Sequence, residues 1–255
     1  MSASKEGRNI GRIMAGVLLF QLVLGLLLFF GDLGRGFSLP SRGPAAPGFD
    51  LPVSPGDQTR KYDPAEMPVT GPGPSGPMPD RLVLEELTGA WRLTGRIAEG
   101  DAERIAAQLT ERLQPETAAQ APDTLFLNSP GGAVAEALQL GRVIRDAGLS
   151  TDMGARDICL SACPYLLASG VTRSADTGAR IGVHQHYFGE NTLLPAFTAV
   201  KDIQRGQGQV MRYLQDMGVD PMLMSHGLLT PPDQIYLLSR DELETYALLT
   251  PDEDG

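Results

Sequence analysis

Three short segments carry the groups that could perform covalent chemistry, and the first is "ICLSAC". It places Ser161 midway between Cys159 and Cys163, the only two cysteines of the chain. Here a strand-like stretch gives way to an apolar helical pattern, and a helix N-terminus stabilises negative charge beside it. The N–H of Ala162 could donate to a developing oxyanion. Ser161 is therefore a candidate nucleophile; the structural alternative is a helix N-cap, a common role of serine.

The second segment is a glycine turn in "LFLNSPGG", where Gly131 and Gly132 follow a short apolar strand and precede a helical pattern. Glycines at such a turn leave backbone N–H groups free to point at a ligand. The turn could stabilise an oxyanion. A tight turn that needs glycine only for its backbone angles is the alternative. The segment lacks the Gly-x-Gly-x-x-Gly and Gly-Lys-Ser/Thr patterns, so nucleotide binding is not supported.

The third segment is "ARIGVHQHYFG", which holds two of the three histidines of the chain. In a strand, His184 and His186 would point to the same face. A serine nucleophile needs a base within hydrogen-bond reach, and histidine is the most common one. His184 is therefore a candidate base, and a structural histidine satisfied within the fold is the alternative.

The two cysteines limit the metal and redox chemistry. They cannot supply four thiolates, and their spacing to His184 and His186 is unlike that of a zinc finger. We therefore expect no metal and no cofactor. In an oxidising compartment, a Cys159–Cys163 disulfide and two buried free thiols both remain open.

An α/β domain over residues 81–255 must position these segments. Strand and helix patterns alternate along it, which predicts a mainly parallel sheet. The predicted strands cover 81–87, 90–97, 123–128, 149–155 and 179–187, and the predicted helices cover 101–113, 133–147, 161–168, 198–217 and 241–248.

The N-terminal part predicts a membrane anchor and a tether. Residues 13–31 are apolar and long enough to span a bilayer, and basic residues precede them, which places residues 1–12 in the cytoplasm. The following domain would then lie in the periplasm or another extracytoplasmic space, held to the inner (plasma) membrane by a single pass. A cleaved signal peptide is the alternative, and it also exports the domain. Residues 32–80 are rich in Pro and Gly, which predicts a disordered linker.

The three segments, in this order and spacing, resemble the Clp protease proteolytic subunit and its crotonase-like relatives. The resemblance rests on "NSPGG" (128–132), on Ser161 with the following "LLASG" (166–170), and on "VHQ" (183–185), and it extends over about residues 91–250. It implies a fold of repeated ββα units and, since that family forms rings, a homo-oligomer. The sequence departs from the family around Ser161, where Cys159, Leu160, Ala162 and Cys163 replace Gly-Ala before and Met-Gly after the serine.

The resemblance also implies roles for individual residues. Ser161 would be the nucleophile, His184 the general base, and Gly131 or Gly132 with Ala162 the oxyanion donors. The family's spacing from the histidine puts Asp233 in the place of the acid that orients it, whereas alignment on Tyr246 puts Ile235 there. Membrane-bound relatives pair serine with lysine, which makes Lys201 an alternative base.

These observations predict a membrane-anchored, exported serine peptidase that acts on peptides or proteins through an acyl-enzyme. A non-catalytic binding or scaffold protein with the same fold is one alternative, and a hydrolase of acyl esters or thioesters is another. The net charge of −10 argues against nucleic acid as a partner.

Overall fold

The computed structural model describes residues 14–27, 56–65, 67, 77–113, 122–186 and 196–251. The chain divides into two units, Met1–Ala46 and Pro47–Gly255. In the first unit, residues 14–27 form a helix whose apolar side chains are exposed. Within the described ranges, no helix is both long enough and apolar enough to cross a membrane. Residues 13 and 28–31 of the predicted anchor, and residues 1–12, lie outside those ranges, so the anchor stays a prediction.

The second unit is a mixed α/β domain with two four-stranded sheets. In the first sheet the order is β2 (Val83–Leu87), β3 (Ala90–Thr94), β4 (Thr124–Asn128) and β5 (Ser150–Asp152). Only β2 and β3 are antiparallel there. The predicted mainly parallel sheet is therefore present in this half of the domain.

The second sheet has the order β1 (Thr59–Lys61), β8 (Gln234–Leu237), β7 (Arg180–Val183) and β6 (Ile158–Leu160). Its only parallel pair is β6 with β7; β8 is antiparallel to both β7 and β1. The carboxyl ends of β6 and β7 consequently lie at the same edge of the sheet. The residues that follow the two strands therefore lie next to each other.

Helices follow the strands in the predicted order. They are α1 (Asp101–Arg112), α2 (Val134–Asp146), α3 (Cys163–Ala168), α4 (Ala196–Asp216), α5 (Met224–Leu229) and α6 (Arg240–Thr245), with a 3-10 turn at Pro221–Leu223. Their inward faces recur at helical spacing; in α1, for example, Ala102, Ile105 and Leu109 are buried. The predicted helix bounds agree to within three residues, and α3 begins two residues late because Ser161 and Ala162 form a turn.

Strand β1 is a correction to the sequence analysis, because it lies in the predicted disordered linker. Three residue pairs join it to β8, from Thr59↔Tyr236 to Lys61↔Gln234. A three-residue strand is too short to show an alternating pattern, and its pairing partner is distant in sequence. Strand β8 and helix α5 were not predicted either, and β7 ends at Val183, before the two histidines.

The two sheets are joined directly beside the glycine turn. The N–H of Ser129, just after β4, donates to the carbonyl of Ile158 at 2.8 Å, and the N–H of Leu160 donates back to Ser129 at 3.0 Å. The end of β4 is thereby fixed against β6. This link brings the first two chemistry-bearing segments together.

A close approach between helices α2 and α4 holds helix α3 in place. A Cβ on Gly141 of α2 would lie only 1.9 Å from the Tyr213 hydroxyl oxygen, so only glycine fits there. That hydroxyl donates to the Tyr165 carbonyl of α3 at 2.7 Å. The contact fixes the helix that begins directly after Ser161.

Candidate active site

Ser161 lies on a strained turn between β6 and α3. Its φ angle is 61°, in the left-handed region that L residues other than glycine rarely adopt. The N–H of Ser161 donates to the carbonyl of Gly182 in β7 at 2.9 Å, which fixes the turn against the neighbouring strand. A sharp strand-to-helix turn of this kind presents the hydroxyl of a nucleophile. The side chain is partly exposed.

His184 directly follows β7 and meets Ser161 at the shared edge of the two parallel strands. Its Nε2 lies 2.7 Å from Ser161 Oγ. When Nε2 accepts a hydrogen bond from the Ser161 hydroxyl, the neutral imidazole carries its proton on Nδ1. The structure therefore brings together the two residues that the sequence predicted as nucleophile and base, although they are 23 residues apart.

Burial keeps the His184 imidazole neutral. Burial, because the charged form loses its hydration, and to a smaller extent the neighbouring charge of His186 together lower the pKa of His184 to about 4. At neutral pH the Nε2 lone pair is consequently available to accept a proton.

Asp233 does not occupy the third position. It is exposed in the turn before β8, and no hydrogen bond joins its carboxylate to His184. The buried Nδ1 of His184 has no partner among the described residues. The β7–β8 pairing ends at Val183 and Tyr236, so His184 lies just beyond the paired part of β7. The structure therefore does not bring Asp233, the predicted orienting acid, into hydrogen-bond contact with His184.

Lys201 is an exposed residue of α4, and the base hydrogen-bonded to Ser161 is His184. The structure therefore does not place Lys201 as the base.

The glycine turn packs directly on the serine. A Cβ on Gly131 would lie 2.4 Å from the Leu160 carbonyl oxygen and 2.6 Å from Ser161 Cβ, and Gly131 has a φ of 95°. Any side chain there would collide with the turn that holds the nucleophile. Glycine at this position is therefore required by the approach of two backbones.

Among the described residues, two of the three predicted oxyanion donors have N–H groups without an acceptor. The N–H of Gly131 already donates to Ser129 Oγ at 3.1 Å. The bridge between Gly132 and Ile97 uses the Gly131 carbonyl and the Ala133 N–H. The N–H groups of Gly132 and Ala162 find no acceptor in the described part of the chain. These two are therefore the candidate donors, and Gly131 serves the packing of the turn.

Cys159 and Cys163 form a disulfide, with their Cα atoms 5.0 Å apart. Of the two arrangements that the sequence left open, the structure has the oxidised one. The bond joins the middle of β6 to the first residue of α3, across Ser161. Both cysteines are fully buried, so the bridge is an internal brace of the turn.

His186 is held by a different partner. Its Nε2 lies 2.7 Å from the hydroxyl oxygen of Tyr165 in α3, and burial lowers its pKa. The two imidazoles thus reach two residues that lie four positions apart in the chain, Ser161 before α3 and Tyr165 within it. His186 contributes positive charge near the dyad when protonated but is not hydrogen-bonded to Ser161.

Tyr62 is a site residue that the sequence analysis missed. Its ring lies against the His184 ring, with centroids 4.9 Å apart, and its hydroxyl donates to the Pro130 carbonyl. Burial raises the pKa of Tyr62 to about 12, and the nearby Ser161 side chain acts in the opposite direction. One signal was present: "GDQTRKYD" (56–63) is a proline-free run between Pro55 and Pro64.

No protein-family model matches the chain, and no curated protein matches it. In the residues that the structure describes, no group of three or more His, Cys, Asp or Glu side chains is arranged to hold a metal ion. The functional argument therefore rests on the geometry around Ser161.

Proposed function

We propose that this chain is a membrane-anchored, exported serine hydrolase that cleaves peptide bonds through Ser161 and His184. The observation that carries the proposal is the 2.7 Å contact between His184 Nε2 and Ser161 Oγ, made at a serine with a left-handed backbone. A base within hydrogen-bond reach of a hydroxyl on a strained turn is the arrangement that activates a serine. On the resemblance to the Clp protease proteolytic subunit, we also propose that the chain belongs to that family and shares its fold of ββα repeats.

The proposed reaction has two steps. Ser161 Oγ attacks the substrate carbonyl while His184 Nε2 takes the serine proton, and the N–H groups of Gly132 and Ala162 donate to the oxyanion. The imidazolium then protonates the leaving amine, and an acyl-enzyme forms on Ser161. In the second step His184 takes a proton from water, the hydroxide attacks the acyl group, and the proton returns to Ser161 as the acid product leaves.

The unpartnered Nδ1 of His184 limits the rate of this chemistry. In a complete triad a carboxylate on Nδ1 holds the imidazole and stabilises the imidazolium, and losing it slows the reaction by about four orders of magnitude in the best-studied case. Here Nδ1 is buried without a partner among the described residues. Peptide cleavage needs the imidazolium to protonate a poor leaving group, so we expect slow turnover.

This same observation favours a second candidate function, the hydrolysis of acyl esters or thioesters. Alkoxide and thiolate leaving groups depend less on protonation than an amine does. A dyad without an orienting acid would therefore lose less on such substrates. Both candidates share the acyl-enzyme on Ser161.

The membrane location is part of the proposal. The helix over residues 14–27 has exposed apolar side chains such as Leu18, Leu19 and Leu27, which would suit a lipid environment. The Cys159–Cys163 disulfide suits an oxidising compartment such as the periplasm. Peptide or protein substrates, and assembly with further copies of the chain, complete the proposal.

Turnover of defined substrates tests the two candidates. The purified full chain is incubated with internally quenched peptides and, separately, with acyl thioesters and p-nitrophenyl esters. We expect hydrolysis that Ser161→Ala abolishes and Ser225→Ala preserves, since the Ser225 hydroxyl donates to the Met222 carbonyl of its own segment. Faster turnover of peptides than of esters supports the peptidase, and esters alone support the second candidate. Equal rates for wild type and Ser161→Ala on every substrate would leave a non-catalytic binding protein.

A further inference from the structure

A short segment from the predicted linker folds onto the candidate active site. We call residues 56–63 the strap; it contains β1. Beyond the three β1–β8 pairs, the N–H of Leu237 donates to the Gln58 carbonyl at 2.9 Å and the N–H of Tyr62 donates to the Asp233 carbonyl at 3.0 Å. The strap therefore lies as an added edge strand along β8, with its last residues at the dyad.

The aromatic side chain of Tyr62 anchors the strap, and the charge of its buried Arg60 is balanced by Asp57 of the same segment. Tyr62 packs in a small apolar cluster with Met78, Ile158 and Leu160. Arg60 is also buried, and its guanidinium donates to the carboxylate and carbonyl of Asp57 on the strap itself. Because Asp57 moves with Arg60, lifting the strap would keep this ion pair intact; the hydrogen bond from Gln58 Nε2 to Glu242 Oε2 at 2.7 Å would be broken.

The strap places Tyr62 where a substrate would react. Its ring lies against the His184 ring, and its hydroxyl donates to the Pro130 carbonyl, close enough to Ser161 for the serine hydroxyl to affect its pKa. A reacting carbonyl must lie about 3 Å from both the nucleophile and the oxyanion donors. Pro130 is adjacent to the glycine turn that supplies one donor, so the Tyr62 hydroxyl and a substrate carbonyl compete for the same space.

We propose that the strap is an intramolecular inhibitor that closes the Ser161–His184 site with the Tyr62 side chain. The proposal rests on the proposed function. Opening requires β1 to separate from β8, which frees a strand edge as well as the dyad. An extended peptide could then pair with β8 in place of β1, because exposed strand edges bind extended chains through their main-chain groups.

The rate of labelling of Ser161 by a small fluorophosphonate tests the closure. The full chain is compared with Tyr62→Ala and, as a matched control on the same strand, Lys61→Ala, whose side chain is exposed. We expect Tyr62→Ala to label roughly tenfold faster, the factor that accompanies loss of a contact of ordinary strength. Lys61→Ala should label at the wild-type rate, and Tyr62→Ala combined with Ser161→Ala should not label.

A second variant weakens the strap at a distance from the dyad. Asp57→Ala removes the carboxylate that pairs with buried Arg60 and leaves Tyr62 in place. It should also label faster than wild type, whereas a tyrosine that merely positions His184 would give no acceleration. If both strap variants label through Ser161 at the wild-type rate or more slowly, the strap is not an inhibitor, although the hydrolase proposal stands. If no chain labels at Ser161, both proposals fall together.

Discussion

The His184 imidazole combines a short contact to the nucleophile on one nitrogen with no described partner on the other. The sequence predicted Ser161 and His184 because each stands at the end of a strand in a chain with few histidines. It could not predict the missing acid. Asp233 has the right residue type and the right spacing, but it lies in an exposed turn before β8, and where such a turn falls is decided by the pairing of the whole sheet.

The lowered pKa of His184 predicts an unusual pH profile. The base must be neutral to act. As the pH is lowered from 7, the rate of labelling of Ser161 should therefore stay constant at first and should reach half its value only near pH 4, the pKa that burial imposes. An ordinary histidine would lose half its activity near pH 6.5, as a rough model value. The measurement is the rate of fluorophosphonate labelling across this range, with His226→Gln as a control that should not move the midpoint.

The sign of the linked stability change is also fixed. His184 has a lower pKa folded than unfolded, so the unfolded chain binds more protons between the two values. Its contribution to stability is therefore present above the unfolded pKa and is lost as the pH falls toward 4. If the labelling rate falls to half at the pKa of an ordinary histidine, His184 is not a buried base.

At the scale of elements, the turn between β6 and α3 is held by three kinds of contact: the hydrogen bond from Ser161 to β7, the packing of Gly131, and the disulfide. Periodicity predicted the longer helices, because their buried faces repeat over twelve or more residues, as in Asp101–Arg112 and Val134–Asp146. It could not predict β1, which has three residues and becomes a strand only by pairing with β8. The four-residue spacing of the cysteines left the disulfide open, since only the turn before α3 makes it feasible.

Removing the disulfide should loosen this turn. The chain-entropy model gives about 2 kcal/mol for so short a loop, so Cys159→Ala with Cys163→Ala should lower the free energy of unfolding by about that amount. The disulfide that spans the left-handed Ser161 would be lost, so the rate of Ser161 labelling should fall. Chemical denaturation and labelling rates measure the two effects. Wild type should keep both properties in mild reductant, because both cysteines are buried.

An unchanged unfolding free energy and an unchanged labelling rate in the double variant would show that the disulfide does not support the nucleophile. A loss of stability without slower labelling would confine its role to the fold.

At the scale of the whole molecule, the candidate site collects residues from both sheets and from the predicted linker. The glycine turn comes from the end of β4 in one sheet, the dyad from β6 and β7 in the other, and Tyr62 from the strap. The alternation of strands and helices predicted an α/β domain. It did not predict the division into two sheets, because strands of three to five residues carry no signal for their neighbours.

Mapping a covalent adduct tests the central claim, a serine activated by His184, most directly. The full chain, its Tyr62→Ala variant and their His184→Gln derivatives are treated with a fluorophosphonate, and the modified residue is found by peptide mass spectrometry. We predict one adduct on Ser161, formed fastest in Tyr62→Ala and reduced at least about a hundredfold by His184→Gln, the range in which a general base contributes. No adduct on Ser161 in either parent chain, or an adduct that forms equally fast without His184, would contradict it.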